Sequence, residues 1–285
     1  MNHLSASELI LNRNGSVYHL NLLPENVADI IITVGDPDRV AQVSRYFNSI
    51  EFKTRKREFA THTGTYNGKR LSVISSGIGT DNVEILMNEL DIIANVDLKT
   101  RKIKETKKQL EIIRIGTSGA IQDQIPVGSY VVSKSALGLD SLMFFYNLFQ
   151  SDFDREISAK IQKSIRIGFQ PYHVQGSLKL INKFGFDMIQ GNTLTCPGFY
   201  APQGREIRVP SLVDNLIQKI SQYHNEEFRV TNLEMETAGY YALGKIFDHE
   251  VVSLNAIIAN RITNKFVDNP KKTIDTLIEL TLERV

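Results

Sequence analysis

The sequence predicts a single α/β domain with a largely parallel or mixed sheet flanked by helices on both faces. Three observations carry this. Isoleucine- and valine-rich runs of strand length alternate with segments whose apolar residues recur at helical spacing. Glycine clusters punctuate the ends of several of those runs. No linker, repeat or low-complexity tract divides the chain, whose 285 residues suit one large domain as well as two.

The first strand is Ala28–Val34, an apolar run such as a strand buried on both faces requires. Asp36 then offers a helix cap and Pro37 a favoured first helical residue, with the helix running to about Phe47. Arg57–Tyr66, the turn Asn67-Gly68 and Arg70–Ser75 form a β-hairpin, because Asn-Gly takes the positive φ angles of a type I′ turn. Ser76-Gly77-Ile78-Gly79 leads to a second helix. Its capping-box-like start is Asp81 with Glu84, and its apolar stripe is Val83, Leu86, Met87, Leu90 and Ile93. The basic segment 97–109 is an insertion read as a solvated helix extension rather than a polyanion site.

Glu111–Ile115 is the next strand, followed by Gly116-Thr117-Ser118-Gly119. Further strands fall near Ser129–Ser133, Tyr172–Gln175 and Met188–Leu194. Helices fall at Asp154–Ile167 and Ser211–His224. The chain then reads strand (Val230–Leu233), helix (Met235–Phe247), strand (Val251–Ala259) and a last helix from Pro270. Residues 17–285 are expected to form the domain, with 1–16 as an N-terminal arm.

Composition removes several functions. Lys and Arg number 33 against 32 Asp and Glu, a net charge of +1 that suggests neither a nucleic-acid nor an anionic-membrane partner. No apolar run approaches the ~18 residues of a membrane helix, and the first 16 residues carry no signal-peptide core. The single cysteine, Cys196, cannot form an internal disulfide, so a cytoplasmic setting is expected and Cys196 is read as structural.

In open α/β sheets, ligands bind beyond the carboxyl ends of the strands. There the sequence places Gly35-Asp36-Pro37-Asp38-Arg39, Gly77-Ile78-Gly79, Arg114 with Gly116–Gly119, Glu234-Met235-Glu236, and Asn260-Arg261. Glycines admit backbone N–H groups close to an anion and arginines supply forked donors, so Arg39, Arg57, Arg114 and Arg261 point to a small anion such as phosphate. A dinucleotide site is rejected: Asn82 stands where the third glycine belongs, and the chain about twenty residues on is basic where an acid should grip the ribose. Of the two carboxylates, Glu236 is assigned to a sugar diol and Glu234 to the start of the helix. Phe199, Gln203 and Arg205 offer an aromatic face, an amide and a guanidinium to a flat heterocycle. An ordinary surface loop is the other reading of the same residues.

In this order and at these distances the motifs resemble the nucleoside phosphorylase family, most closely its uridine phosphorylase branch. They are Gly35-Asp36-Pro37-Asp38-Arg39-Val40, Arg57-Glu58-Phe59, Ser76-Gly77-Ile78-Gly79, Arg114-Ile115-Gly116-Thr117-Ser118-Gly119-Ala120-Ile121, Phe199-Tyr200 with Gln203-Gly204-Arg205, Glu234-Met235-Glu236 and Asn260-Arg261. The resemblance runs from His19 to about Thr263. It implies a single α/β domain with a mixed, barrel-like sheet and a site shared between two subunits. It also implies phosphate at Gly35, Arg39, Arg114 and Thr117, with Arg57 reaching the neighbouring subunit's phosphate. Ribose falls to Met235 and Glu236, with His19 reaching the 5′-hydroxyl from the partner chain, and uracil to Phe199, Gln203 and Arg205, with Arg261 closing nearby.

The implied reaction is reversible phosphorolysis of uridine to uracil and ribose 1-phosphate. Inorganic phosphate is co-substrate and no organic cofactor is implied. Catalysis falls to Arg114, Gln203, Arg205 and Glu236. A purine nucleoside phosphorylase or a nucleosidase of the same fold is the alternative; a non-catalytic nucleoside-binding protein is the alternative of another class. Asn260-Arg261, where the purine branch places an acid, favours a pyrimidine. Thr80-Asp81-Asn82 depart from the family's small residues. Glu58 and Ile78 match positions that bind a monovalent cation in some relatives. The length of the 97–109 segment resembles that of dimeric relatives, so a homodimer or higher oligomer is expected.

Overall fold

The computed structural model describes residues 3–224 and 228–285, so Met1 and Asn2 of the expected arm lie outside the described residues. β1 (Ile30–Val34) leads through α1 (Pro37–Ser44) to three antiparallel strands, β2 (Ser49–Lys56), β3 (Phe59–Tyr66) and β4 (Lys69–Ser75). α2 (Thr80–Asn95) and a small hairpin, β5 (Val96–Asp97) and β6 (Lys102–Ile103), follow. Then come β7 (Glu111–Ala120), β8 (Tyr130–Gly138), α3 (Asp152–Ile165), β9 (Tyr172–Gln175), α4 (Leu178–Phe184) and β10 (Ile189–Thr195). α5 (Leu216–Gln222), β11 (Val230–Glu234), α6 (Thr237–Phe247), β12 (Glu250–Asn260), β13 (Lys265–Phe266) and α7 (Pro270–Glu283) complete the order.

The main sheet runs β13-β12-β8-β10-β11-β7-β1-β4-β3-β2, with β9 beside β8. A further pairing of β12 with β7 closes β7, β12, β8, β10 and β11 into a five-strand barrel. The sheet is mixed, as expected: β1 pairs parallel with β4 and β7, whereas β11 meets β7 and β12 meets β8 antiparallel. Helices cover both faces. Leu86, Leu90 and Ile93 of α2 join Tyr240 and Leu243 of α6 in one core. Val40 and Val43 of α1, Leu180 of α4 and Leu277 of α7 pack into another. Among the described residues no helix is long and apolar enough to cross a membrane.

Several expected elements take a different form. Segment 97–109 is not a helix extension: its first part forms a hairpin, because the Asp97 carboxylate accepts from the N–H groups of Lys99 and Thr100 and turns the chain. Two of its cations serve backbone carbonyls, Arg101 donating to Leu9 O at 2.6 Å and Lys104 to Ala94 O at 2.8 Å, and Lys108 pairs with Asp29. Residues Gly116–Gly119 do not form a loop after a short strand. They continue β7, because β12 pairs with them from Asn255 to Ala259 and that pairing overrides glycine's weak strand preference. α2 begins without an Asp81 cap. The cap position is Gly79 at φ 96°, whose N–H instead reaches across the fold to Glu236. Arg57 belongs to a two-residue turn at φ 57° and not to the strand. The expected Ser211–His224 helix is confined to Leu216–Gln222, and β2 and α4 had no counterpart in the sequence reading.

Candidate active site

A cavity of about 750 Å³ opens where β1, β4, β11 and the outer half of β7 end. Gly35, Arg39, Arg114, Gly116 and Thr117 line it, with Met235 and Glu236. Phe199, Gln203, Arg205, Glu58 and Ile78 line it as well. The fold thus gathers Gly35, Arg39, Arg114, Thr117, Phe199, Gln203, Arg205, Met235 and Glu236 of the proposed set into one chamber. His19, Arg57 and Arg261 are not among its lining residues.

Each position follows from local structure. β1 delivers Gly35, and Asp36 caps α1 by accepting the Asp38 N–H at 2.9 Å, which places Arg39 in the first helical turn. No side-chain hydrogen bond holds the Arg39 guanidinium among the described residues. Burial, and then the neighbouring Arg114, press its pKa below the ordinary arginine value against the pull of Asp36. A group so placed is stabilised by an incoming anion.

Arg114 is nearly fully buried, and both terminal nitrogens are committed. Nη2 donates to Glu236 Oε2 at 2.6 Å and lies 2.9 Å from Glu234 Oε2, while Nη1 donates to Asn255 at 3.0 Å and Ser253 at 3.1 Å. Burial opposes its charge, but Glu234 and Glu236 outweigh burial and hold the pKa up. The side chain lies over Gly116, two residues along the same face of β7. A β-carbon there would sit 2.0 Å from Nη1.

Glu234 takes the start of the helix, as the sequence reading expected, and both carboxylates line the cavity. Glu234 accepts the N–H groups of Glu236 and Thr237 at the start of α6, and the Thr195 hydroxyl at 2.6 Å. Glu236 faces the cavity, its Oε1 accepting the Gly79 N–H at 2.9 Å. Burial raises the Glu236 pKa, Arg114 opposes the rise and Glu234 adds to it.

The Arg205 guanidinium carbon lies 3.8 Å from the Phe199 ring centre, and Arg205 donates to Phe199 O and Gln203 Oε1, each at 2.6 Å. Gln203 O in turn accepts from Arg261 at 3.0 Å, so Arg261 braces the Gln203 backbone. Burial and then Arg261 lower the Arg205 pKa. Asn260 is turned away, donating to Gln122 O and Ile125 O. Cys196 is fully buried, and burial pushes its thiol pKa up. Glu58 and Ile78 share the cavity wall; among the described residues no group of three or more His, Cys, Asp or Glu could hold a metal ion.

The segments that carry His19 and Arg57 touch through their neighbours: Lys56 donates to the carbonyl of Tyr18.

The sequence reading missed Ser253 and Asn255, which hold Arg114, and the apolar walls Leu233, Ile258 and Phe266. Ser253 and Asn255 did carry a signal: two polar residues at alternate positions of an otherwise apolar strand share one face.

The chain belongs to the phosphorylase superfamily, whose family model matches residues 29–283. Fold and membership together place it in the nucleoside phosphorylase family. It is 31% identical over 258 residues to a uridine phosphorylase of Thermococcus kodakarensis, covering 88% of this chain and 80% of that one. It is 26% identical over 274 residues to a DeoD-type purine nucleoside phosphorylase of Buchnera aphidicola subsp. Acyrthosiphon pisum, covering 95% and 99%. Its fold matches a crystal structure of a Trypanosoma brucei nucleoside phosphorylase, described as showing uridine phosphorylase activity, with a TM-score of 0.88, 25% identity and coverage of 97% and 98%.

Proposed function

We propose that the protein catalyses the reversible phosphorolysis of uridine to uracil and ribose 1-phosphate. The observation that carries this reading is the Gln203–Arg205 pair. Its hydrogen bond fixes Gln203 Oε1 between two donors, the amide Nε2 and the guanidinium. Donor, acceptor, donor is the complement of the acceptor, donor, acceptor edge of uracil. Phe199 offers a ring to the heterocycle, and Asn260, turned from the cavity, provides no acid for a purine.

Phosphate, as co-substrate, binds at Gly35, Arg39, Arg114 and Thr117, and ribose at Met235 and Glu236. Arg57 and His19 of a second copy complete the phosphate and 5′-hydroxyl ends; that neither residue lines the chamber of its own chain supports this assignment. No organic cofactor is needed. Phosphate is already an anionic nucleophile, so the protein's task is alignment beneath the anomeric carbon and stabilisation of charge on the departing uracil. Arg205 and Gln203 meet the second need, and burial strengthens their effect.

Incubation with uridine, with and without phosphate, tests the reading. Turnover should require phosphate and yield ribose 1-phosphate. Equal turnover without phosphate would show a hydrolase, and inosine outpacing uridine would show a purine enzyme. Uridine-induced thermal stabilisation without product would show a binding protein.

A further inference from the structure

α2 packs its apolar stripe into the core, yet Glu89 stands within it, buried, where an aliphatic residue would be ordinary. Its carboxylate closes on His19, seventy residues earlier. Oε1 accepts the His19 backbone N–H at 2.8 Å, Oε2 accepts the Leu20 N–H at 2.7 Å, and His19 Nδ1 lies 2.8 Å from Oε1. Both oxygens already serve as acceptors for backbone donors, so Nδ1 carries the proton in the third contact. In the neutral form of the ring the lone pair then falls on Nε2.

The ring has little freedom. Tyr18 meets it edge-on at 4.9 Å and 86°, and Val17, Leu20 and Leu22 anchor the flanking backbone in the core. About 28% of the His19 side chain stays accessible, so an outward Nε2 can meet a ligand.

We propose that Glu89 is the positioning residue of His19: it fixes the ring so that Nε2 accepts the 5′-hydroxyl proton of a nucleoside held in a second copy of this chain. Glu89 thereby makes that hydroxyl a determinant of specificity. The inference rests on the reading that His19 completes a second copy's site.

The test compares kcat/KM for uridine and 5′-deoxyuridine, which lacks only that hydroxyl. The protein should prefer uridine by about ten- to a hundred-fold, the effect of leaving one site group unpaired. Both His19→Ala and Glu89→Gln should bring the ratio to near unity, and the double variant should fall no further, because Glu89 acts through His19. A wild-type ratio in Glu89→Gln with a collapsed ratio in His19→Ala overturns the role of Glu89 and leaves the shared site standing. A wild-type ratio in His19→Ala overturns both. The imidazole nitrogen spectrum of the unmodified protein gives a readout should Glu89→Gln not fold. It should show His19 protonated at Nδ1; a neutral ring protonated at Nε2 overturns the proposal.

Discussion

Gly116→Ala is the most incisive perturbation of the site. The backbone of Gly116 is ordinary strand, so the new methyl group acts through space alone. It would stand 2.0 Å from Arg114 Nη1 and 2.5 Å from Cζ, both impossible separations, so the guanidinium must leave its seat. Rotating an arginine is sterically cheap. The cost lies in what it abandons: hydrogen bonds to Ser253 and Asn255, and contacts of 2.6 and 2.9 Å to Glu236 and Glu234. Two buried carboxylates would lose their cation, a change that costs about 3–5 kcal/mol when a buried pair is broken. For a chain of this size that lowers Tm by on the order of 10 °C. Catalysis should suffer separately, with kcat/KM for phosphate falling tens- to thousands-fold, as for loss of one desolvated charge contact of ~2–5 kcal/mol. Gly119→Ala is the control, since its β-carbon would meet neighbours only at 3.7–3.9 Å and should leave Tm unchanged. Calorimetry and phosphate-saturation kinetics on both variants decide the matter. A Gly116→Ala protein with wild-type Tm and wild-type phosphate dependence would refute the claim that the Arg114 clamp organises the site.

Three further outcomes follow from other parts of the molecule. Arg205→Ala should lower kcat/KM for uridine by tens- to thousands-fold while shifting the phosphate KM far less; equal effects on both substrates would remove Arg205 from the base end. His249 is held neutral by burial, against the pull of Asp91, with Nδ1 accepting the Leu110 N–H at 3.3 Å, so its pKa lies below the ordinary 6.5. The unfolded chain then takes up a proton that the folded chain refuses, and stability falls as pH drops below 6.5 toward the folded value. His249→Asn keeps an acceptor for Leu110 without titrating, and should flatten the acid limb of a Tm-against-pH curve; an unchanged limb would exclude His249 as its source. Cys196, buried with its thiol pKa raised, should resist aromatic disulfide reagents until the protein is denatured, and stoichiometric labelling of the native protein would contradict its burial.

Strand and helix order was largely legible because periodicity reports burial directly. Ile157, Ile161 and Ile165 predicted the buried face of α3, and all three lie in the core. Asn67-Gly68 predicted its hairpin, with both residues at positive φ. The errors fall where a distant partner outweighs local preference. Gly116–Gly119 looks like a loop until β12 pairs with it, and Asp81 looks like a cap until Gly79 is drawn to Glu236. The basic segment gave no sign that Arg101 and Lys104 would be spent on backbone carbonyls.

By itself the sequence determined the α/β class, the chemical kinds gathered at the site and the place of Glu234 at a helix start. Those follow from residue type, spacing and helix-start chemistry, all local properties. Only the tertiary structure decided that β12 returns to β7 and closes a barrel, that Arg114 is clamped by Ser253 and Asn255, and that His19 is gripped by Glu89. These are pairings across 70 to 141 residues of chain. Their partners are selected by packing and charge in the folded state, and no local pattern encodes which partner is met.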